Sequence, residues 1–117
     1  MASIQHGLSG CYELSNTIID AVVRFTRPGA YALGTALNQS ILQISYVGRA
    51  DSDLNARLKQ HVGRYRDFQF VYTDSAYAAF AKECWLYHTF NPGGNQIHPA
   101  RPLGALTCPT PGCRTLF

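Results

Sequence analysis

Residues 29–48 read GAYALGTALNQSILQISYVG, and this stretch decides the fold. Apolar, aromatic and β-branched side chains dominate residues 30–35 and residues 41–48, and the polar residues 38–40 separate the two runs. Two such runs joined by a polar turn are typical of a β-hairpin. Because side chains alternate between the two faces of a strand, the second run predicts a shared face for Leu42, Ile44 and Tyr46.

Three helices and one more strand are predicted around the hairpin. They are a helix over residues 13–25 with Ser15 as N-cap, a helix over residues 53–62 ended by Gly63, a strand over residues 68–72, and a helix from Asp74-Ser75 to about Phe90. This order predicts a small α+β domain whose sheet is three-stranded, mainly antiparallel and flanked by helices.

The length of 117 residues, with 46% hydrophobic and 15% charged residues, predicts a single globular domain. We divide it into an N-terminal helical extension at residues 1–28, a core at residues 29–95 and an irregular tail at residues 96–117. No apolar run reaches the roughly 18 residues that a membrane span needs, and the first residues do not resemble a secretory signal. A cytoplasmic protein is therefore expected.

Positive charge is concentrated in one window of the chain. The net charge is +3, and residues 49–66 carry five cations against two acids, which accounts for all of it. The five cations are Arg49, Arg57, Lys59, Arg64 and Arg66. Most are arginines, whose planar guanidinium matches phosphate. A solvated helix face would show the same cluster, but the placement of Arg57, described next, favours nucleic acid as the partner.

Charged and polar side chains interrupt the apolar stripes of two predicted helices. In the helix over residues 53–62, Arg57 and His61 lie four residues apart at the edge of the buried face. In the last helix Glu83 is the only charge on a stripe of alanines and aromatics. An unpaired buried carboxylate is costly, so Glu83 should meet a cation or a metal. A structural ion pair between Glu83 and Arg57 is one alternative; a catalytic site is the other.

Two tripeptides complete the polar set, Gly29-Ala30-Tyr31 and Tyr46-Val47-Gly48. Together with Arg57, Glu83 and Asn95 in that order, they resemble the GIY-YIG nuclease family. This resemblance covers residues 29–95. It implies a divalent-metal-dependent DNA endonuclease that hydrolyses phosphodiester bonds with one Mg²⁺ or Mn²⁺ ion. Cutting both strands of a duplex would then require two copies of the site, as in a dimer, or successive nicks.

The resemblance also implies a role for each member of the set. Tyr31 would be the general base, Arg57 would hold a phosphate oxygen and Glu83 would bind the metal. Tyr46 would bond to the water, to Tyr31 or to the phosphate. His61 would assist proton transfer or contact phosphate, and Asn95 would orient the cleaved strand or brace the site. A free tyrosine has a pKa near ~10, so nearby cations are expected to lower the pKa of Tyr31.

Two other readings remain open from the sequence. A non-catalytic nucleic-acid-binding module could retain the same fold and basic face, and a purely structural domain could use the polar set as a buried ion-pair network. A structural Zn²⁺ site is a further, weaker hypothesis. Its candidate ligands are His6, Cys11, Cys108 and Cys113, which form two pairs with equal gaps.

Overall fold

The computed structural model describes residues 7–95, which form an α+β fold with a four-stranded antiparallel sheet. The strands are β1 (Ser9–Glu13), β2 (Gly29–Ala36), β3 (Leu42–Ala50) and β4 (Asp67–Tyr72), and the helices are α1 (Asn16–Val22), α2 (Leu54–Lys59) and α3 (Ala76–Phe90). The strand order across the sheet is β1-β4-β2-β3. The predicted α+β class and the hairpin of β2 and β3 are therefore confirmed, and β3 is an edge strand.

The sheet carries helices on both faces. Helices α1 and α2 cover one face, where Ile19, Leu54 and Leu58 join Tyr31 and Leu33 in a buried cluster. Helix α3 covers the other face, where its apolar side chains pack on the small residues of β2 and on Val47 of β3. Because β2 is paired on both sides and covered on both faces, its first six residues are all buried.

The prediction of three strands is wrong, because β1 adds a fourth strand beside β4. Ser9 opposes Phe70 and Tyr12 opposes Phe68, with an irregularity in the register between these two pairs. Gly10 lies in this irregularity with φ of +90°, a conformation that favours glycine. A short strand interrupted in this way lacks the regular alternation that reveals strands in a sequence.

The predicted shared face of Leu42, Ile44 and Tyr46 is also wrong. Leu33 opposes Tyr46 whereas Gly34 opposes Ile44, so Ser45 is an extra residue in β3. Such a bulge shifts the alternation by one residue. Leu42 and Ile44 therefore face α3, whereas Tyr46 packs with Tyr31 on the face covered by α1 and α2.

Ser15 is an N-cap as predicted, but two of the three helices are shorter than expected. Ser15, Asp53 and Ser75 are the N-caps, and each side chain accepts a hydrogen bond from the backbone amide three residues later. The predicted helix over residues 13–25 is confined to Asn16–Val22. Helix α2 ends at Lys59 rather than near Val62, because residues 60–62 bond three residues back in a tighter turn.

Within residues 7–95, no helix combines the length and the apolar character that crossing a membrane demands. The predicted tail at residues 96–117 lies outside the described residues. Of the predicted N-terminal extension, residues 7–28 are described. Its strand β1 is hydrogen-bonded into the same sheet as the core.

Candidate active site

The position of Tyr31 depends on a glycine in the neighbouring strand. Tyr31 on β2 is the cross-strand partner of Gly48 on β3. A Cβ atom at position 48 would overlap the Tyr31 hydroxyl and the adjoining ring carbons. The absent side chain of Gly48 thus lets the Tyr31 ring lie across β3, with its hydroxyl towards the edge of the sheet. This contact explains why a tyrosine and a glycine are needed at these two places.

Tyr31 forms a buried hydrogen bond with His61. The Tyr31 hydroxyl oxygen lies 2.8 Å from Nε2 of His61, and both side chains are buried. The tight turn that ends α2 directs His61 towards the sheet, since its backbone amide bonds to Leu58 within that turn. Nδ1 of His61 is buried and has no hydrogen-bond partner within the described protein. A buried ring nitrogen without a partner is costly, and it offers a contact to a bound ligand or water.

The pKa values of this pair are moved mainly by burial. Burial, together with the charges of Arg57 and Arg64, lowers the pKa of His61 to about 4, so the imidazole is neutral near pH 7. Burial raises the pKa of Tyr31, and the charge of Arg57 offsets only part of that effect. Arg57 thus lowers the pKa of Tyr31 as expected, but desolvation outweighs this attraction and the net shift is upward.

Two further aromatic rings complete this part of the site. The Tyr46 and His61 ring centroids lie 5.3 Å apart, and Tyr65 stacks on Tyr46 at 6.1 Å. We call Tyr31, Tyr46, His61 and Tyr65 the aromatic half of the site. Tyr31 has no exposed surface, whereas Tyr46 is only partly buried. Sequence reasoning missed Tyr65, because a single tyrosine in a loop between two arginines gives no pattern.

The other part of the site is a set of charged groups on the face covered by α3. Nη1 of Arg49 donates to Oε1 of Glu83 at 2.8 Å, and Nε of Arg49 donates to Oδ1 of Asp51 at 2.7 Å. The guanidinium carbon also lies 5.3 Å from the centre of the Phe80 ring. We call Arg49, Asp51, Glu83 and Phe80 the ionic half. Glu83 does meet a cation, but that cation is Arg49 rather than Arg57.

The two halves lie on opposite faces of the sheet and within electrostatic reach of each other. After burial, the Glu83 carboxylate is the strongest influence that raises the pKa of Tyr46, and it also raises that of Tyr31. Arg57 lowers the pKa of both phenols. Its exposed guanidinium donates to Gln60 on the same helix. The structure thus gathers Tyr31, Tyr46, Arg57, His61 and Glu83 around edge strand β3.

Asn95 contacts this edge directly. Its Oδ1 accepts from the Val47 amide at 2.7 Å, and its Nδ2 donates to the Val47 carbonyl at 2.9 Å. The amide of Gly94 donates to the carbonyl of Ser45, the bulge residue, at 2.7 Å. Asn95 thereby holds the backbone of the strand between Tyr46 and Gly48.

The remaining predicted nucleic-acid contacts have different surroundings. Arg64 is exposed and influences the pKa of both Tyr46 and His61. Arg66 is exposed near Asp67. Lys59 instead pairs with Asp20 of α1 at 2.6 Å. Arg49 is the most deeply placed of the four and is committed to its two carboxylates.

The described residues include no group of three or more histidine, cysteine, aspartate or glutamate side chains that could hold a metal ion. Glu83 and Asp51 nevertheless present carboxylate oxygens to the same guanidinium. Magnesium is commonly bound through one or two carboxylates, with water and substrate phosphate as its other ligands. Of the zinc candidates only Cys11 is described, and its sulfur accepts from Gln69. His6, Cys108 and Cys113 lie outside the described residues.

Comparison with protein-family models, with curated proteins and with solved structures gave no significant match.

Proposed function

We propose that this chain is a GIY-YIG-type endonuclease that hydrolyses DNA phosphodiester bonds with the help of one divalent metal ion. The observation that carries the proposal is the buried Tyr31–His61 hydrogen bond, with Nδ1 of His61 left without a partner beside it. The charges of Glu83 and Arg57 act on the same phenols. In this proposal these groups act as a proton path, a phosphate-binding cation and a metal-binding carboxylate.

Water attack on phosphorus needs an acceptor for the proton of the water. In the proposed path Tyr31 takes this proton as it passes its own hydroxyl proton to Nε2 of His61, 2.8 Å away. Because His61 is neutral near pH 7, its ring can accept the proton. An anionic phosphate beside the pair would raise the pKa of His61 and so make it a stronger acceptor. The Nδ1–H group of this tautomer would then be free to donate to a phosphate oxygen.

Burial sets a condition on this path. Tyr31 has no exposed surface, so the attacking water reaches its hydroxyl only when neighbouring side chains move. Arg57 is the exposed neighbour, and it is held by Gln60 within its own helix. A phosphate that draws Arg57 away from Gln60 would both uncover the site and gain a charge-assisted contact. Tyr46, which is partly exposed, would bond to the water or the phosphate.

Glu83 would bind the metal ion in this reaction. Its buried carboxylate supplies the oxygen ligand that Mg²⁺ or Mn²⁺ prefers, and water and substrate phosphate would fill the other positions. The bound ion would neutralise charge on the phosphate and on the leaving 3′-oxygen. Asn95 acts through the strand, because it fixes the backbone of Val47 between Tyr46 and Gly48.

One observation favours the non-catalytic nucleic-acid-binding module as a second candidate. Glu83 is already paired with Arg49, which is how a purely structural buried carboxylate is satisfied. In that case the arginines would bind the phosphate backbone without cleavage. This candidate and the nuclease make different predictions for magnesium dependence.

The deciding experiment incubates supercoiled plasmid with the protein in Mg²⁺ or in EDTA, and follows nicking and binding on gels. We expect nicking in Mg²⁺ only, and its loss in Glu83→Gln. Asp74→Asn is the matched control, because Asp74 also pairs with an arginine but lies at the exposed start of α3. Binding without nicking would support the second candidate. If the protein neither binds nor nicks the plasmid, a purely structural domain is the remaining interpretation.

A further inference from the structure

Arg49 is held more firmly than a surface arginine. It bonds to Glu83 and Asp51 through different nitrogens of one guanidinium, and its charged group faces the Phe80 ring. Its side chain retains 13% of its exposure and that of Glu83 retains 9%, so water screens this pair weakly. The planar guanidinium presents its N–H donors in a rigid fork, so it can bond to two carboxylates at once.

A divalent ion cannot bind Oε1 of Glu83 while this arrangement persists. Oε1 accepts from Arg49 at 2.8 Å, a full hydrogen-bonding contact. An ion on that oxygen would bring two positive charges next to the guanidinium, within a weakly screened region. Oε1 must therefore exchange one cation for the other.

We infer that Arg49 is the resident counter-cation of Glu83, which a divalent metal has to displace, so that Arg49 sets the metal affinity of the site. The inference rests on the proposed function only in assigning a metal to Glu83. Asp51 has a defined part in the exchange, because it remains a hydrogen-bond partner of Arg49 after Glu83 has bound the metal. The site then binds the metal more weakly than it would if no cation were already paired with Glu83.

The test measures Mn²⁺ binding to the whole protein, without DNA, by electron paramagnetic resonance of the free ion at neutral pH. Arg49→Gln should bind Mn²⁺ about tenfold more tightly than the wild type, which corresponds to about 1.4 kcal/mol. Arg27→Gln is the matched control, because Arg27 also pairs with an aspartate and lies over a tyrosine ring, but it is exposed. Adding Glu83→Gln to Arg49→Gln should abolish the gain.

Substitution of Asp51 tests whether this residue is a partner of Arg49 or a ligand of the metal. We expect Asp51→Asn to weaken Mn²⁺ binding in the wild type, since displaced Arg49 loses its remaining partner. The same change in the Arg49→Gln background should have no larger effect than Asp74→Asn. An equal loss in both backgrounds would make Asp51 a ligand and overturn its assigned part.

Folding is followed alongside, because Arg49→Gln leaves Glu83 without its buried partner. Arg49→Lys keeps the charge but cannot bridge two carboxylates as a planar fork, so it should also bind Mn²⁺ more tightly than the wild type. Unchanged or weaker Mn²⁺ binding in a folded Arg49 variant overturns the inference, and so does the absence of measurable binding. Tighter binding without any DNA cleavage would sustain the inference and remove the nuclease proposal. DNA cleavage by the wild type, together with unchanged Mn²⁺ affinity in the Arg49 variants, would overturn the inference and sustain the nuclease proposal.

Discussion

The aromatic half and the ionic half of the site differ in their electrostatics. In the aromatic half burial favours the neutral forms: it raises the pKa of Tyr31 and Tyr46 and is the main cause that lowers the pKa of His61 to about 4. In the ionic half burial also raises the pKa of Glu83, but the hydrogen bond and the charge of Arg49 oppose it. The charge of a buried group thus depends both on its desolvation and on the opposite charges beside it. In the proposed function, proton transfer belongs to the first half and metal binding to the second.

Tyr31→Phe should have the largest effect on the aromatic half. It removes the proton-carrying hydroxyl and keeps the ring over Gly48. We expect a loss of about 10²- to 10⁴-fold in cleavage rate, the usual contribution of a general acid or base. Single-turnover nicking assays measure this loss. Tyr12→Phe, a ring on the same face that packs on Phe68, should cleave normally. Near-normal cleavage by Tyr31→Phe together with a loss in Tyr46→Phe would move the base role to Tyr46.

The neutrality of His61 predicts a pH-dependent stability. The unfolded chain binds a proton on this residue below about pH 6.5, whereas the folded chain does so only near pH 4. The contribution of His61 to the unfolding free energy is therefore complete above pH 6.5. It decreases as the pH falls towards 4, by about 3 kcal/mol at most.

Urea unfolding of the wild type and of His61→Gln across this pH range measures the contribution as the difference between two curves. The glutamine amide can still accept from the Tyr31 hydroxyl, so that hydrogen bond is retained while the titration is removed. Parallel curves between pH 4 and 6.5 would show that His61 is not held neutral by the fold.

Gly48→Ala tests the space that the aromatic half requires. The added Cβ would overlap the Tyr31 hydroxyl and ring, so we expect a loss of about 1–3 kcal/mol in the unfolding free energy. Gly93→Ala is the control, because a Cβ there meets no atom within 4 Å. Combining Gly48→Ala with Tyr31→Leu should cost less than the sum of the two changes. Additive costs would mean that the two positions do not compete for space.

Asn95→Ala should have the smallest effect and should act on both halves through β3. It removes two hydrogen bonds to Val47, each worth about 1 kcal/mol. Thermal unfolding should show a loss of about 1–2 kcal/mol. Gln43→Ala, at an exposed position on the same strand, should be neutral. A large loss of cleavage with unchanged stability would instead indicate that Asn95 contacts the substrate.

The parts of the fold with strong local signals could be predicted from the sequence. The hairpin and the N-cap Ser15 depend on neighbouring residues and were correctly predicted, as were the regions in which the other two helices begin. Strand β1 depends on pairing with β4, far along the chain, and its Gly10 interrupts the pattern. The bulge at Ser45, whose carbonyl accepts from Gly94, gives no local sequence signal, so alternation alone wrongly put Tyr46 on the face of Leu42 and Ile44.

The candidate site was predictable to a similar extent. Burial of His61 and Glu83 followed from their places on helical stripes. The partner of Glu83 did not, because pairing with Arg49 depends on how α3 lies over β3. The direction of the Tyr31 shift was also missed, since desolvation depends on the packing of the whole sheet face. Sequence spacing thus indicated which side chains are buried, but neither the partner of Glu83 nor the net pKa shift of Tyr31.

The clamp that residues 94 and 95 place on β3 has a consequence for assembly. An outer strand normally offers its free amides and carbonyls to another chain. Here the carbonyl of Ser45 and both backbone groups of Val47 are already occupied by Gly94 and Asn95. A second copy therefore cannot extend the sheet past these positions. If two copies cooperate to cut both strands of a duplex, they have to associate through another surface.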